Sequence, residues 1–140
     1  MTLRPGPAMG LDPPQRIVLS GPEATIAWAR TIPDFGWYPE VYALFLDQAH
    51  VLLRAAWLGS TTTFDDFVAW PDFSLGYLPR HGAAAVTLLV CRPGEGTEVS
   101  PADRVTWDLL RLAHAARCVP LLDVLLVDGR DWSSLAEVFD

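Results

Sequence analysis

Apolar positions along the chain fall into two rhythms, short unbroken runs and longer helical stripes, and together they divide it into alternating strands and helices. The opening "MTLRPGPAMGLDPPQ" has no periodicity and is rich in Pro and Gly, so residues 1–15 read as a flexible lead. Order begins near Arg16, where "RIVLS" predicts a short strand. "SGPEATIAWAR" then predicts a helix. Ser20 or Gly21 caps it, Pro22 takes the first turn, and Glu23 lies beside the positive helix end. That helix ends before Pro33. "DFGWYP" is a turn, and "EVYALFLDQAHVLLRAAWLG" holds two apolar runs, Val41 to Leu46 and Val51 to Leu58. The polar Asp47 and Gln48 between them predict two strands joined by a tight turn.

The middle is less regular. "STTTFDDFVAWPDF" mixes small polar residues with aromatics and carries no regular element before Trp70. From Pro71, "PDFSLGYLPRHG" suits a short helix with Phe73, Tyr77 or Leu78 facing inward, weakened by Gly76 and Pro79. "AAAVTLLV" is a continuous apolar run, the pattern of a central strand covered on both faces. After a glycine-broken loop, "SPADRVTWDLLRLAHAARC" is the clearest helix in the chain. Ser100 caps it, Pro101 takes its first turn, Asp103 sits near its positive end, and Ala102, Val105, Leu109, Leu112, Ala113 and Ala116 line one apolar face. "VPLLDVLLVDG" is the last strong strand, and "DWSSLAEVF" closes the chain. Strands alternating with helices in this way predict an α/β sheet with helices packed on it.

Composition narrows the picture. The chain has 140 residues, 51% of them hydrophobic, enough for one core and too short for two domains of ordinary size. No apolar run reaches the length that spans a bilayer, and the first residues lack the order of a signal peptide, so a cytoplasmic protein without membrane contact is expected. The net charge is −7, and the ten basic residues are all arginines, scattered singly. A duplex footprint needs a concentrated basic face, so strong nucleic-acid binding is not expected. Six tryptophans serve as core or loop anchors, and any surplus would suit a protein-binding face.

The residues able to ligate a metal are few. Cys91 and Cys118 are separated by a whole helix, a spacing that suits neither a disulfide framework nor a zinc knuckle, and both read as free buried thiols. His50 falls in a turn, His81 precedes a strand by its full length, and His114 belongs to the far half of the long helix. None has a partner at ligand spacing, so each reads as an ordinary surface or satisfied histidine.

The order and wording of several segments resemble the RadC-like branch of the JAB/MPN (JAMM) metalloprotease-like domains. The residues that carry the likeness are "EVYALFLDQ", Gly59, "WPDFSLGYLPRHGAAAVTLLV", "SPAD", "LLDVLLVDGR" and "SSLAE", in the family's order over residues 16–140. The resemblance implies the cytidine-deaminase-like α/β fold, a mixed central sheet flanked by helices. It also implies a zinc site: His-x-His, ten residues to a metal-binding Asp, a Ser three residues before that Asp, and a general-base Glu far upstream. Here Asp103 and Ser100 match, Pro93 matches the proline after the second histidine, and Glu40 is the best match for the upstream Glu. Val90 and Arg92 stand where the histidines would be. Cys91, between them, points the other way along a strand and cannot substitute.

One carboxylate cannot hold a catalytic zinc, which needs about three protein ligands and an open position for water. The expectation is therefore a catalytically inactive domain without metal or cofactor. It would act as a protein-interaction or scaffold module with an unidentified protein partner, linked to DNA maintenance, with a homo-oligomer left open. The alternative is a metal-dependent hydrolase with a non-standard ligand set. Removing the metal while keeping Asp103 leaves a carboxylate in want of a cation, and the forked guanidinium of Arg92 can supply one. Two placements of Arg92 stay open: an ion pair to Asp103, with Val90 packed beside it and Glu40 within the same reach, or a side chain that points into solvent from the loop.

Overall fold

Ala85–Cys91 is apolar on both faces except for Thr87, and the fold is arranged around it. The computed structural model describes residues 16–59 and 83–139. Their elements are α1 (Pro22–Ala29), β1 (Val41–Leu46), β2 (Leu52–Gly59), β3 (Ala85–Cys91), α2 (Pro101–Ala116), β4 (Leu121–Asp128), β5 (Asp131–Ser134) and α3 (Leu135–Phe139). The sheet order is β2-β1-β3-β4-β5, which places β3 in the middle with every residue buried. β1 pairs antiparallel with both β2 and β3, β3 pairs parallel with β4, and β5 returns antiparallel on β4. A parallel pair needs a long crossover, and α2 supplies it. The described residues thus form a mixed α/β unit, with a five-stranded mixed sheet and helices packed on it.

Alternation along the strands sorts the apolar residues into two layers. One face carries Val41, Ala43, Phe45, Leu88, Val90, Val124 and Leu126, packed with Trp107 and Leu110 of α2 and Leu135 of α3. The other carries Tyr42, Leu44, Leu89, Cys91, Leu125 and Val127, packed with Ile26 and Ala29 of α1. The loop after α1 is pinned to the turn between β4 and β5. Gly129 N–H donates to Gly36 O at 2.9 Å, and Gly36, at φ 89°, leaves no room for a Cβ beside the Gly129 carbonyl.

Several expectations hold and others need correction. α1 begins and ends as its sequence signals, with Gly21 at the N-cap. The turn between β1 and β2 closes through Asp47, whose Oδ1 accepts from Ala49 N–H at 2.8 Å and Val51 N–H at 2.9 Å. "RIVLS" is not a strand but forms a single bridge, Val18 to Val51, because only a short reach of it meets the hairpin turn. Cys118 is exposed rather than buried, since it lies just past α2 in a turn with φ 59°. The flexible lead, the irregular stretch before Trp70, the short helix from Pro71, and His81 lie outside the described residues.

The largest correction concerns α2. Its inward face is Asp103, Thr106, Trp107, Leu110 and His114, not the predicted stripe. Val105, Leu109 and Leu112 are 60%, 45% and 68% exposed. The inward face is mixed, with Trp107 and Leu110 among Asp103, Thr106 and His114. The bulk of Trp107 and the Asp103 contact to Arg92 turn it to the sheet in place of the apolar row. Leu110→Ala should therefore cost about 3 kcal/mol, a cavity in a closed core. Leu112→Ala should stay within about 0.5 kcal/mol. Urea unfolding of the two variants in dilute solution measures both, and equal losses would show the helix phase to be wrong.

Candidate functional site

Where β3 leaves the sheet, the chain must pass from a fully apolar layer to the start of a helix within nine residues, and the polar groups of this passage form the site. Arg92 continues the ladder of β3, its N–H donating to Val127 O at 2.8 Å. Alternation puts its side chain on the face of Val90, under α2. Arg92 Nη1 donates to Asp103 Oδ1 at 3.1 Å, and the two side chains are only 10% and 5% exposed. Asp103 Oδ2 meanwhile accepts from Ser100 N–H at 2.9 Å, and Ser100 Oγ accepts from Asp103 N–H at 3.1 Å, a reciprocal cap on α2. Val90 is fully buried in the same layer. Four of the five motif positions, Val90, Arg92, Ser100 and Asp103, therefore come together.

Glu40 does not join them. Its backbone carbonyl accepts from Cys91 N–H at 2.9 Å, so its neighbour across the ladder is Cys91 and not Arg92. Its side chain lies on the α1 face, where Glu40 Oε1 accepts from Tyr42 Oη at 3.0 Å and Oε2 from Trp57 Nε1 at 3.1 Å. Glu40 is 2% exposed and the sheet stands between it and Asp103. Cys91 packs on that same α1 face, away from Val90, as alternation requires.

The loop from Pro93 to Val99 is fixed by a residue outside the motif. Asp128, at the end of β4, accepts from Gly94 N–H at 2.9 Å through Oδ1 and from Gly96 N–H at 2.8 Å through Oδ2. Both glycines have positive φ, 83° and 73°, the conformation that turns their amides toward one acceptor. Ser133 Oγ adds a bond to Thr97 O at 2.6 Å. The signal was present in the sequence: two glycine amides in a loop need an acceptor, and the strand-ending Asp128 is one.

Two further buried polar groups lie outside the motif. Asp123 accepts from Val124 N–H at 2.8 Å, Ala136 N–H at 3.1 Å and Ser134 Oγ at 2.6 Å, which ties β5 and α3 to β4. Burial pushes its carboxyl above the usual value, against the pull of Ser134, Ala136 and Val124 and with a small addition from the Glu137 charge. His114 was expected to be a surface or satisfied histidine. It is instead fully buried at the end of the inward face of α2, where neither ring nitrogen makes a well-formed hydrogen bond. Burial lowers its pKa from 6.5 to about 4; the Val119 backbone opposes this and the Arg117 charge adds to it.

Among the described residues no three His, Cys, Asp or Glu side chains stand together as metal ligands. No helix among them is long and apolar enough to cross a membrane. Compared with known proteins, the chain matches no family model and no curated protein.

Both kinds of buried group have measurable effects on stability. Arg92→Ala leaves Asp103 buried without its cation, and breaking a buried pair on one side should cost about 3 kcal/mol of unfolding free energy. A loss under about 0.5 kcal/mol, the level of a neutral surface change, would mean that the pair holds nothing. For His114, the folded pKa lies below the unfolded one, so the unfolded chain takes up the extra proton as pH falls. Its contribution is complete above about 6.5 and is lost as the pH drops toward about 4, a change of about 3 kcal/mol. Asp123 has the opposite sign: its raised pKa favours the fold below 3.8 and costs stability as pH rises through the folded value. Comparing wild type with His114→Leu between pH 4 and 7 isolates the histidine, and parallel stability curves would refute the assignment.

Proposed function

We propose that this chain is a RadC-like JAB/MPN domain that has lost its metal and its hydrolase chemistry and serves as a protein-interaction or scaffold module linked to DNA maintenance. The observation that carries the reading is the Arg92 to Asp103 ion pair. It lies between the position of the family's second histidine and that of its metal-binding Asp. The gathering of Val90, Arg92, Ser100 and Asp103 at one strand end supports the same reading. We read the mixed sheet, with α2 crossing between the parallel β3 and β4, as the cytidine-deaminase-like arrangement of that family.

The side chains do not fit a catalytic zinc. Val90 offers no donor atom, Arg92 is itself a cation, and its guanidinium engages the one carboxylate the motif retains. Glu40, the candidate base, is on the far side of the sheet, held by Tyr42 and Trp57. No reaction step through a metal is available from these residues. What they do is structural: the guanidinium neutralises Asp103, and Asp103 caps the helix.

The test has two arms. Elemental analysis of the purified protein after mild dialysis should show no stoichiometric zinc; about one zinc per chain would refute the reading and promote the metal-dependent hydrolase. Val90→His with Arg92→His places two imidazoles on the face of Asp103 and should create a zinc site detectable by calorimetry. If that variant folds yet binds zinc no better than wild type, the family assignment loses its main support. Co-purification from native cells would then identify the protein partner.

A further inference from the structure

The parallel ladder between β3 and β4 is irregular at one place. Val86 pairs with Leu121 and Thr87 with Asp123, so Leu122 is the extra residue of a β-bulge. Leu122, Asp123 and Leu125 border one cleft together with Thr87 of β3 and with Leu19 and Pro22 at the start of α1. Alternation puts Thr87 on the α1 face with Leu89 and Cys91, so the sheet stands between this cleft and the Arg92 to Asp103 pair. Its volume is about 360 Å³, inside the range of roughly 300–1,000 Å³ that small-molecule sites occupy.

The polar floor of the cleft is incompletely satisfied. Thr87 is 5% exposed, and its hydroxyl makes no hydrogen bond to any described residue. Asp123, its neighbour across the ladder, is 8% exposed. Asp123 Oδ1 accepts from Val124 and Ala136 N–H, but Oδ2 accepts only from Ser134 Oγ, which leaves it room for one more donor. The charged side chains bordering the cleft are Asp123 and Glu137, both acidic, and His50 is the one basic type beside them. Glu23, in the first turn of α1, offsets the positive end of that helix.

A buried carboxylate without a counter-ion, an unpartnered hydroxyl on the next strand and walls of leucine call for a cation that carries several donors and an apolar body. We propose that this cleft binds a small primary alkylammonium, its nitrogen between Thr87 Oγ and Asp123 Oδ2 and its chain along Leu19, Leu122 and Leu125. Neighbouring strands stand about 4.8 Å apart, so one nitrogen between them reaches an oxygen on each at about 2.9 Å. An ammonium has three donors and no acceptor, which suits two oxygens that lack donors. A divalent metal needs more ligands than these, and among the described residues no three His, Cys, Asp or Glu side chains stand together. The site lies wholly on the α1 face and does not rest on the proposed family.

Titrating the ¹⁵N-labelled full chain with n-butylammonium chloride, at an ionic strength held constant with potassium chloride, tests the site. The amide signals of Thr87, Val124 and Ala136 should move saturably, with the millimolar affinity expected of so small a ligand. n-Butanol keeps the chain and loses the charge, and it should bind about tenfold more weakly. Asp123 also ties β5 and α3 to β4, so the hydroxyl is the position to vary. Thr87→Val keeps the shape of the strand residue and should weaken the amine about tenfold, whereas Thr87→Ser should hold the wild-type affinity, with circular dichroism confirming that both fold. The absence of a saturable shift overturns the proposal. So do shifts that n-butanol or potassium chloride alone reproduces, and an affinity that Thr87→Val leaves unchanged.

Discussion

One carboxylate sets the position of the longest helix. Asp103 spends Oδ2 on the Ser100 amide and Oδ1 on Arg92, so it closes the first turn of α2 and fastens that turn to the end of β3. With Asp103 turned inward, the helical period dictates the facing of every later residue. Thr106, Trp107, Leu110 and His114 come round to the same side, and the row from Ala102 to Ala116 is carried outward. The buried ion pair therefore helps decide the rotation of α2 about its own axis, and with it which face of the helix becomes core and which becomes surface.

The same constraint separates what was legible in the sequence from what was not. The strands were readable because unbroken apolar runs such as Val41 to Leu46 and Ala85 to Val90 admit few other fates, and β3 lies in the middle as its lack of a polar face demands. The ion pair was one of two placements open to Arg92, and charge favours it: a carboxylate at a helix start near the sheet wants a cation within reach, and Arg92 is one. The phase of α2 was not readable from periodicity, since the regular apolar row is the outer one and the buried face is mixed. The decision rests on a contact between residues eleven apart and on the bulk of Trp107. Nor could the side of Glu40 be foreseen, because it depends on the register of β1 against β3, a tertiary pairing that leaves Glu40 opposite Cys91.

Four of the buried ionisable groups contrast in pairs. Arg92 and Asp103 are opposite charges in contact through Nη1 and Oδ1, so the cost of desolvating each is partly offset by the other, although the buried Arg92 Nε has no hydrogen-bond partner among the described residues. His114 and Asp123 have no such counter-ion, and burial pushes each toward its neutral form, the histidine downward and the carboxyl upward. Asp123 compensates with three donors that stitch β5 and α3 onto β4. His114 has no comparable compensation. It sits at the far end of the inward face of α2 because the rotation imposed by Asp103 places it there, which makes the orphaned imidazole a consequence of the ion pair at the other end of the helix.

A sheet is a partition as well as a scaffold. Glu40, Tyr42 and Trp57 form a hydrogen-bonded cluster on the α1 face, while Arg92, Ser100 and Asp103 form theirs on the α2 face, and between them lies a sheet whose central strand is buried throughout. Hydrolysis by a general base acting on a metal-bound water needs both groups within a few ångströms of one bond. These two clusters cannot provide that together, whatever either could bind alone. On the α2 face, freeing Asp103 to act as a ligand would release Arg92 into an apolar layer and loosen the first turn of the helix at once. Under the proposed reading, the motif positions that remain have become fasteners. A fastener that caps a helix and neutralises a buried charge is held by both tasks at once, so replacing either partner disturbs the helix start and the sheet end together.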